Sequence, residues 1–120
     1  MGVIFLQKEF RLKKKKDFKK VYIKGKSFSN RELVLYVFNN FKVNDYRLGI
    51  SVSKKIGNAV VRNKIRRLIK EVVRKKATNI KIKKNIDIVI IARKPASEMN
   101  YTDFERSILD LYKKAKIIIK

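Results

Sequence analysis

The chain has no cysteine and no histidine. Lack of cysteine rules out a disulfide framework, a thiol nucleophile and a zinc knuckle. Lack of histidine removes the commonest general base and the commonest transition-metal ligand. Tryptophan is absent as well, and Pro95 is the only proline. Acids are scarce: ten, against 33 lysines and arginines. They are also scattered. Asp103 and Glu105, two apart, fall on different faces of a helix. A nuclease working alone would need clustered carboxylates for two-metal chemistry, and this pattern supplies none. No apolar run approaches the length of a bilayer crossing.

What remains is a basic, foldable chain. Its 120 residues make one undivided domain, 1–120, with no repeat and no linker. Some 45% of them are hydrophobic, which separates it from a basic disordered tail. A formal charge of +23 calls for a polyanionic partner, nucleic acid before membrane. The start, MGVIFLQKEF, puts its apolar patch before the charge, the reverse of a secretory signal. The expectation is a cytoplasmic protein with no membrane partner.

The segment Ser53 to Glu71, SKKIGNAVVRNKIRRLIKE, is the most informative. Val61, Ile65, Leu68, Ile69, Val72 and Val73 recur at helical spacing and form one apolar stripe. Arg62, Arg66, Lys70 and Arg74 follow four apart on another, with Asn63 and Arg67 beside them. Between Lys54 and Lys76 there are ten Lys or Arg and one acid, Glu71, so salt-bridge ladders cannot neutralise the face. A solvated face normally mixes its signs; this one does not. Arginine also dominates the stripe, and its planar fork grips phosphates bidentately and stacks on bases.

Around this helix the pattern predicts a basic first helix over Arg11 to Gly25, with Phe18, Val21 and Tyr22 clustered and Gly25 at its C-cap. Strands are expected at Glu32 to Phe41, Tyr46 to Val52 and Ile86 to Ala92. Asn58 is a suitable N-cap, Thr78 to Lys84 reads as a polar link, and Pro95 ends the last strand. Thr102 and Glu105 have capping-box spacing before a final helix. Together these give an α/β (α+β) two-layer sandwich, a small mixed sheet with helices packed on it. Crossover statistics favour a right-handed strand–helix–strand unit.

The run RLGISVSKKIGNAVVRNKIRRLIKE, Arg47 to Glu71, resembles the signature of the protein subunit of bacterial ribonuclease P. The likeness extends to Arg11–Phe28 and to IIARKPAS, Ile90 to Ser97, in the family's order. The core triplet, often Arg-Asn-Arg, here ends in Lys64, which keeps the charge but loses the fork. The resemblance implies a left-handed βαβ crossover, against the statistical default. It also implies a role as RNA-binding subunit of a ribonucleoprotein endoribonuclease that removes the 5′ leader from precursor tRNA. The active site and its Mg2+ would belong to the RNA, leaving no catalytic residue, cofactor or metal on the protein. Partners would be ribonuclease P RNA and precursor tRNA. Arg62, Asn63, Lys64, Arg66 and Arg67, with Lys54, Lys55 and Lys70 on the same basic run, would contact the catalytic RNA. Phe18, Tyr22 and Tyr36 would line a cleft for the leader. On pattern alone Tyr36 reads as core, and Phe18 reads equally as core or base platform. Composition alone suggests a ribosomal-type rRNA-binding protein, which the length of the match displaces.

Overall fold

The computed structural model describes residues 11–79 and 81–119. In chain order its elements are α1 (Lys15–Lys24), β1 (Lys26–Ser29), β2 (Leu33–Asn39), β3 (Tyr46–Ser51), α2 (Ala59–Asn79), β4 (Lys81–Ile82), β5 (Ile86–Ala92), a 3-10 turn (Lys94–Glu98), α3 (Tyr101–Ala115) and β6 (Ile118–Ile119). The most apolar strand, β5, occupies the middle of a four-stranded sheet of order β1-β2-β5-β3. It runs antiparallel to β2 and parallel to β3, with α2 in the β3-to-β5 connection. A mixed sheet follows because β2 and β3 are joined by a short loop whereas β3 and β5 are joined through a helix.

Strand side chains alternate between two faces. On one face Leu33, Leu35, Leu48, Ile88 and Ile90 meet Ile65, Ile69 and Val72 of α2 and Phe104, Ile108 and Leu111 of α3. Full burial of each such side chain contributes roughly 1.5–3 kcal/mol, and this cluster is the main core. The other face carries α1 and a smaller cluster of Leu12, Val21 and Val89, with Phe18, Tyr36, Phe38 and Ile91 at its margin.

Several boundaries differ from the sequence pattern. The first helix begins at Lys15, not Arg11, because Arg11 bridges to Leu48 and the Leu12 N–H donates to the Leu48 carbonyl (2.9 Å) on the open edge of β3. Gly25 does cap it, but in extended backbone. Its constraint is space: a Cβ would sit 2.5 Å from the Val21 carbonyl oxygen and 2.8 Å from that of Val37. Strand β1 carries no signal in the sequence pattern, since KSFS has one apolar residue and is stabilised by pairing with β2. The second strand stops at Asn39, and Phe41 stands in solvent. The expected polar link after α2 is partly helix, to Asn79, and partly β4, which pairs with β6 near the C-terminus. Pro95 opens the 3-10 turn that follows β5. The capping box of α3 is Asn100 with Asp103, not Thr102 with Glu105. The Asn100 side chain accepts from the Asp103 N–H (2.9 Å), and the Asp103 carboxylate accepts from the Asn100 N–H (3.1 Å). Glu105 instead pairs with Lys76 of α2 at 3.2 Å.

One charged group lies inside the fold. Asp87, in β5, is 1% exposed. Arg47 of β3 donates to it from Nε (2.8 Å) and NH2 (2.9 Å), and the Asn40 side-chain amide donates at 2.9 Å. The hydrogen bonds to Asp87 are the main reason the Arg47 pKa is raised above its usual value. The third guanidinium nitrogen of Arg47 reaches Asp17 of α1 at 3.7 Å. Removing one partner of a buried pair strands the other. Asp87→Ala should therefore lower the unfolding free energy by about 3 kcal/mol, at the low end for buried pairs because Arg47 keeps some water. Denaturant melts would read this, and a loss under about 1 kcal/mol would make the pair peripheral.

Candidate nucleic-acid interface

The face under α1 is built on one row of the sheet. Gly49, Val89 and Tyr36 are neighbours across β3, β5 and β2. Above them stand Phe18, Val21 and Tyr22, spaced i, i+3, i+4 on one side of α1. Val21 and Val89 are fully buried and close the middle of the row. At one end the Phe18 ring occupies the volume that glycine leaves free: a Cβ on Gly49 would lie 2.6 Å from ring atoms Cε1 and Cζ. At the other end Tyr22 meets Tyr36 edge-on, with centroids 5.1 Å apart, and Phe18 lies 6.3 Å from Tyr22. Tyr22 is 38% exposed, and Phe18 and Tyr36 are half-buried.

The structure thus brings Phe18, Tyr22 and Tyr36 together as one aromatic ledge. Tyr36 is not in the main core, because its strand position points to the opposite face. Burial raises the Tyr22 phenol above its ordinary pKa, against an opposing hydrogen bond from Ser51. Gly49 and Ser51 were missed as site residues. Their signal was present in the alternation of β3, which puts both on the face away from Leu48.

The basic residues lie along α2 and the turn before it. The Asn58 side chain accepts from the Val61 N–H (3.0 Å) and so starts the helix as expected. Ile56 is buried and pins the turn, leaving Lys54 and Lys55 exposed. Asn63, Lys64 and Arg67 are exposed, while Arg62, Arg66 and Lys70 are half-buried. Arg62 Nε donates to the Gly57 carbonyl (3.2 Å), and Arg66 NH1 donates to the Asn63 side-chain oxygen (3.3 Å). Asn63 therefore orients Arg66. Further along, the helix turns to structural work: Lys75 pairs with Glu71 at 3.8 Å and Lys76 with Glu105. The uncompensated stretch is 54–70.

Ledge and stripe are not separate surfaces. Arg66 and Lys70 share a cleft of about 360 Å³ with Phe18, Leu48, Ile50, Arg11, Leu12 and Lys13, along the open edge of β3. Among the described residues no three acids converge as a metal site, and no helix is long and apolar enough to cross a membrane. The arrangement suits unpaired bases on a ledge with phosphates held alongside.

The family model described as Ribonuclease P matches residues 6–116. The chain belongs to the ribonuclease P protein family. A ribonuclease P protein component from Clostridium acetobutylicum is 50% identical, with 93% of each chain covered. Among solved structures, the RNase P protein of Staphylococcus aureus superposes with a TM-score of 0.83 at 44% identity, covering 92% of this chain and 98% of that one. That of Thermotoga maritima gives 0.77 at 33% identity, covering 87% and 96%. These relatives do not favour the ribosomal alternative. Arg66 supplies the sharpest test of whether the α2 stripe binds RNA. Arg66→Ala should weaken RNA binding and flatten its salt dependence by about one log–log unit. Arg66→Lys should recover the slope but only part of the affinity, since it keeps the charge and loses the fork. Full recovery by lysine would rule out bidentate contact.

Proposed function

We propose that the chain acts as the RNA-binding protein subunit of ribonuclease P, holding the 5′ leader of precursor tRNA on the Phe18–Tyr22–Tyr36 ledge. The α2 face, with Lys54, Lys55, Arg62, Asn63, Lys64, Arg66, Arg67 and Lys70, docks on the catalytic RNA. In this reading the reacting phosphate and its Mg2+ belong to the RNA, and the protein contributes position and charge. The observation that carries it is the aromatic ledge on a half-covered sheet face, joined through one cleft to a cationic helix. A leader is unpaired, so its bases are free to stack; mature tRNA has lost that segment and would lose those contacts only.

Reconstitution tests the division of labour: protein alone in magnesium should leave precursor tRNA intact, and addition of the catalytic RNA should restore leader removal. Cleavage by folded, RNA-free protein would overturn it. The ledge has its own test. Phe18→Ala should raise the dissociation constant of precursor tRNA for the assembled holoenzyme roughly tenfold and leave mature tRNA nearly unchanged, since a stacked base is worth about 1–3 kcal/mol. Gly49→Ala should act in the same direction by displacing the ring without deleting it. Thermal melting separates this from a packing effect. Equal weakening for precursor and mature tRNA, alongside a lowered melting temperature, would return Phe18 to the core.

A further inference from the structure

Helix α1 divides its side of the sheet in two. Tyr22 meets the Tyr36 ring of β2, whereas Asp17 reaches Arg47 near the start of β3. Beyond Asp17 lies a second cleft of about 300 Å³. There Lys14, Lys16 and Lys20 face Asn40, Lys42 and Val43 of the β2–β3 loop. Among the described residues none of Lys14, Lys16, Lys20 and Lys42 makes an ion pair. The acids near them are Asp17 and Asp87, both engaged by Arg47, and Asp45 at the loop's end.

The loop displays Phe41, 84% exposed, the most exposed large apolar side chain among the described residues. A single exposed apolar residue is ordinary. This one stands between Asn40 and Lys42 on a frame that is fixed from both ends. The Asn40 side chain donates to buried Asp87, and its N–H donates to the Asn85 carbonyl (2.7 Å). The Lys42 N–H donates to the Asn40 side-chain oxygen (3.1 Å), the Val43 N–H to the Asn40 carbonyl (3.1 Å), and the Asn85 side chain to the Val43 carbonyl. A loop ordered in the free protein keeps the entropy cost of binding low. An exposed aromatic ring next in sequence to Lys42, which lines one cleft with Lys16 and Lys20, offers the chemistry of single-stranded nucleic-acid contact.

We propose that this loop is a second RNA-binding site, in which Phe41 stacks on an unpaired base while Lys16, Lys20 and Lys42 hold the flanking phosphates. The occupant is an unpaired segment of the catalytic RNA. A leader lying on the Tyr22–Tyr36 ledge would have to climb over α1 to reach Phe41. The inference rests on the ribonuclease P reading and refines where the RNA subunit is gripped.

The experiment titrates full-length protein into the catalytic RNA and, separately, precursor tRNA into preassembled holoenzyme. Phe41→Ala and Phe41→Leu should each weaken binding to the catalytic RNA roughly tenfold, and Phe41→Tyr should restore it. Precursor tRNA affinity of the assembled holoenzyme should not move. The triple variant Lys16→Ala, Lys20→Ala, Lys42→Ala should reduce the salt slope of catalytic-RNA binding by roughly two log–log units. Wild-type protein that fails to bind the catalytic RNA would defeat the parent reading, and this one with it. Wild-type binding with unchanged Phe41→Ala affinity would defeat the loop site alone. A loss confined to precursor tRNA would assign the loop to the substrate and overturn the choice of occupant.

Discussion

The carboxylate of Asp87 is the point on which the α1-bearing side of this molecule depends. It sits in the central strand, out of water, and three donors from two other elements converge on it. Through Arg47 it fixes the edge strand β3 and, one contact further, α1 at Asp17. Through Asn40 it fixes the β2–β3 loop. A buried ion pair is a weak source of net stability, because desolvation offsets most of the attraction. Its value here is geometric: strand, loop and helix are indexed to a single group whose isolation would be costly. Ring positions on α1 inherit that register, since Phe18 and Tyr22 follow Asp17 within five residues.

The same logic extends to the other acids. A chain of this charge repels itself, and several of its few carboxylates join elements or cap them. Asp103 closes the start of α3, Glu105 ties α3 to α2, and Asp110 takes hydrogen bonds from Asn30 and Lys114. None is spent on the turn and first turns of α2, residues 54–70, where Glu71 is the nearest acid in sequence. Repulsion left unrelieved on that stretch is what a phosphate backbone would relieve under the proposed role. Neutralising the stripe internally would have helped folding and weakened the interface.

Legibility of the sequence followed the range of the interactions involved. α2 and β5 were readable because a long 3.6-residue period and a dense β-branched run are local signals: Ile65, Leu68, Ile69, Val72 and Val73 are all buried, and β5 spans Ile86–Ala92 as expected. β1 was not readable, since Lys26–Ser29 is a strand only because β2 offers it an edge. The α3 cap was misplaced by two residues because Asn100 and Asp103 satisfy the same spacing rule as Thr102 and Glu105. Within the site, the basic stripe followed from charge pattern alone. The ledge did not, and came from family resemblance. Tyr36 lies in a strand apolar on both alternations, and only the row Gly49–Val89–Tyr36, assembled from three strands, shows which face it takes.

That row also explains how one small fold separates stability from recognition. The main core is complete without α1: two helices and the inner face of the sheet enclose it. The outer face is closed only at its middle, by Val21 on Val89, with Leu12 folded in from the β3 edge. At the β3 end Gly49 admits the Phe18 ring where a larger side chain would have filled the space. Packing this face as fully as the inner one would gain apolar burial. It would also erase the ledge and close the cleft that joins it to Arg66 and Lys70. Apolar surface left half-covered beside cations is thus a cost to folding, which the proposed RNA partner would offset.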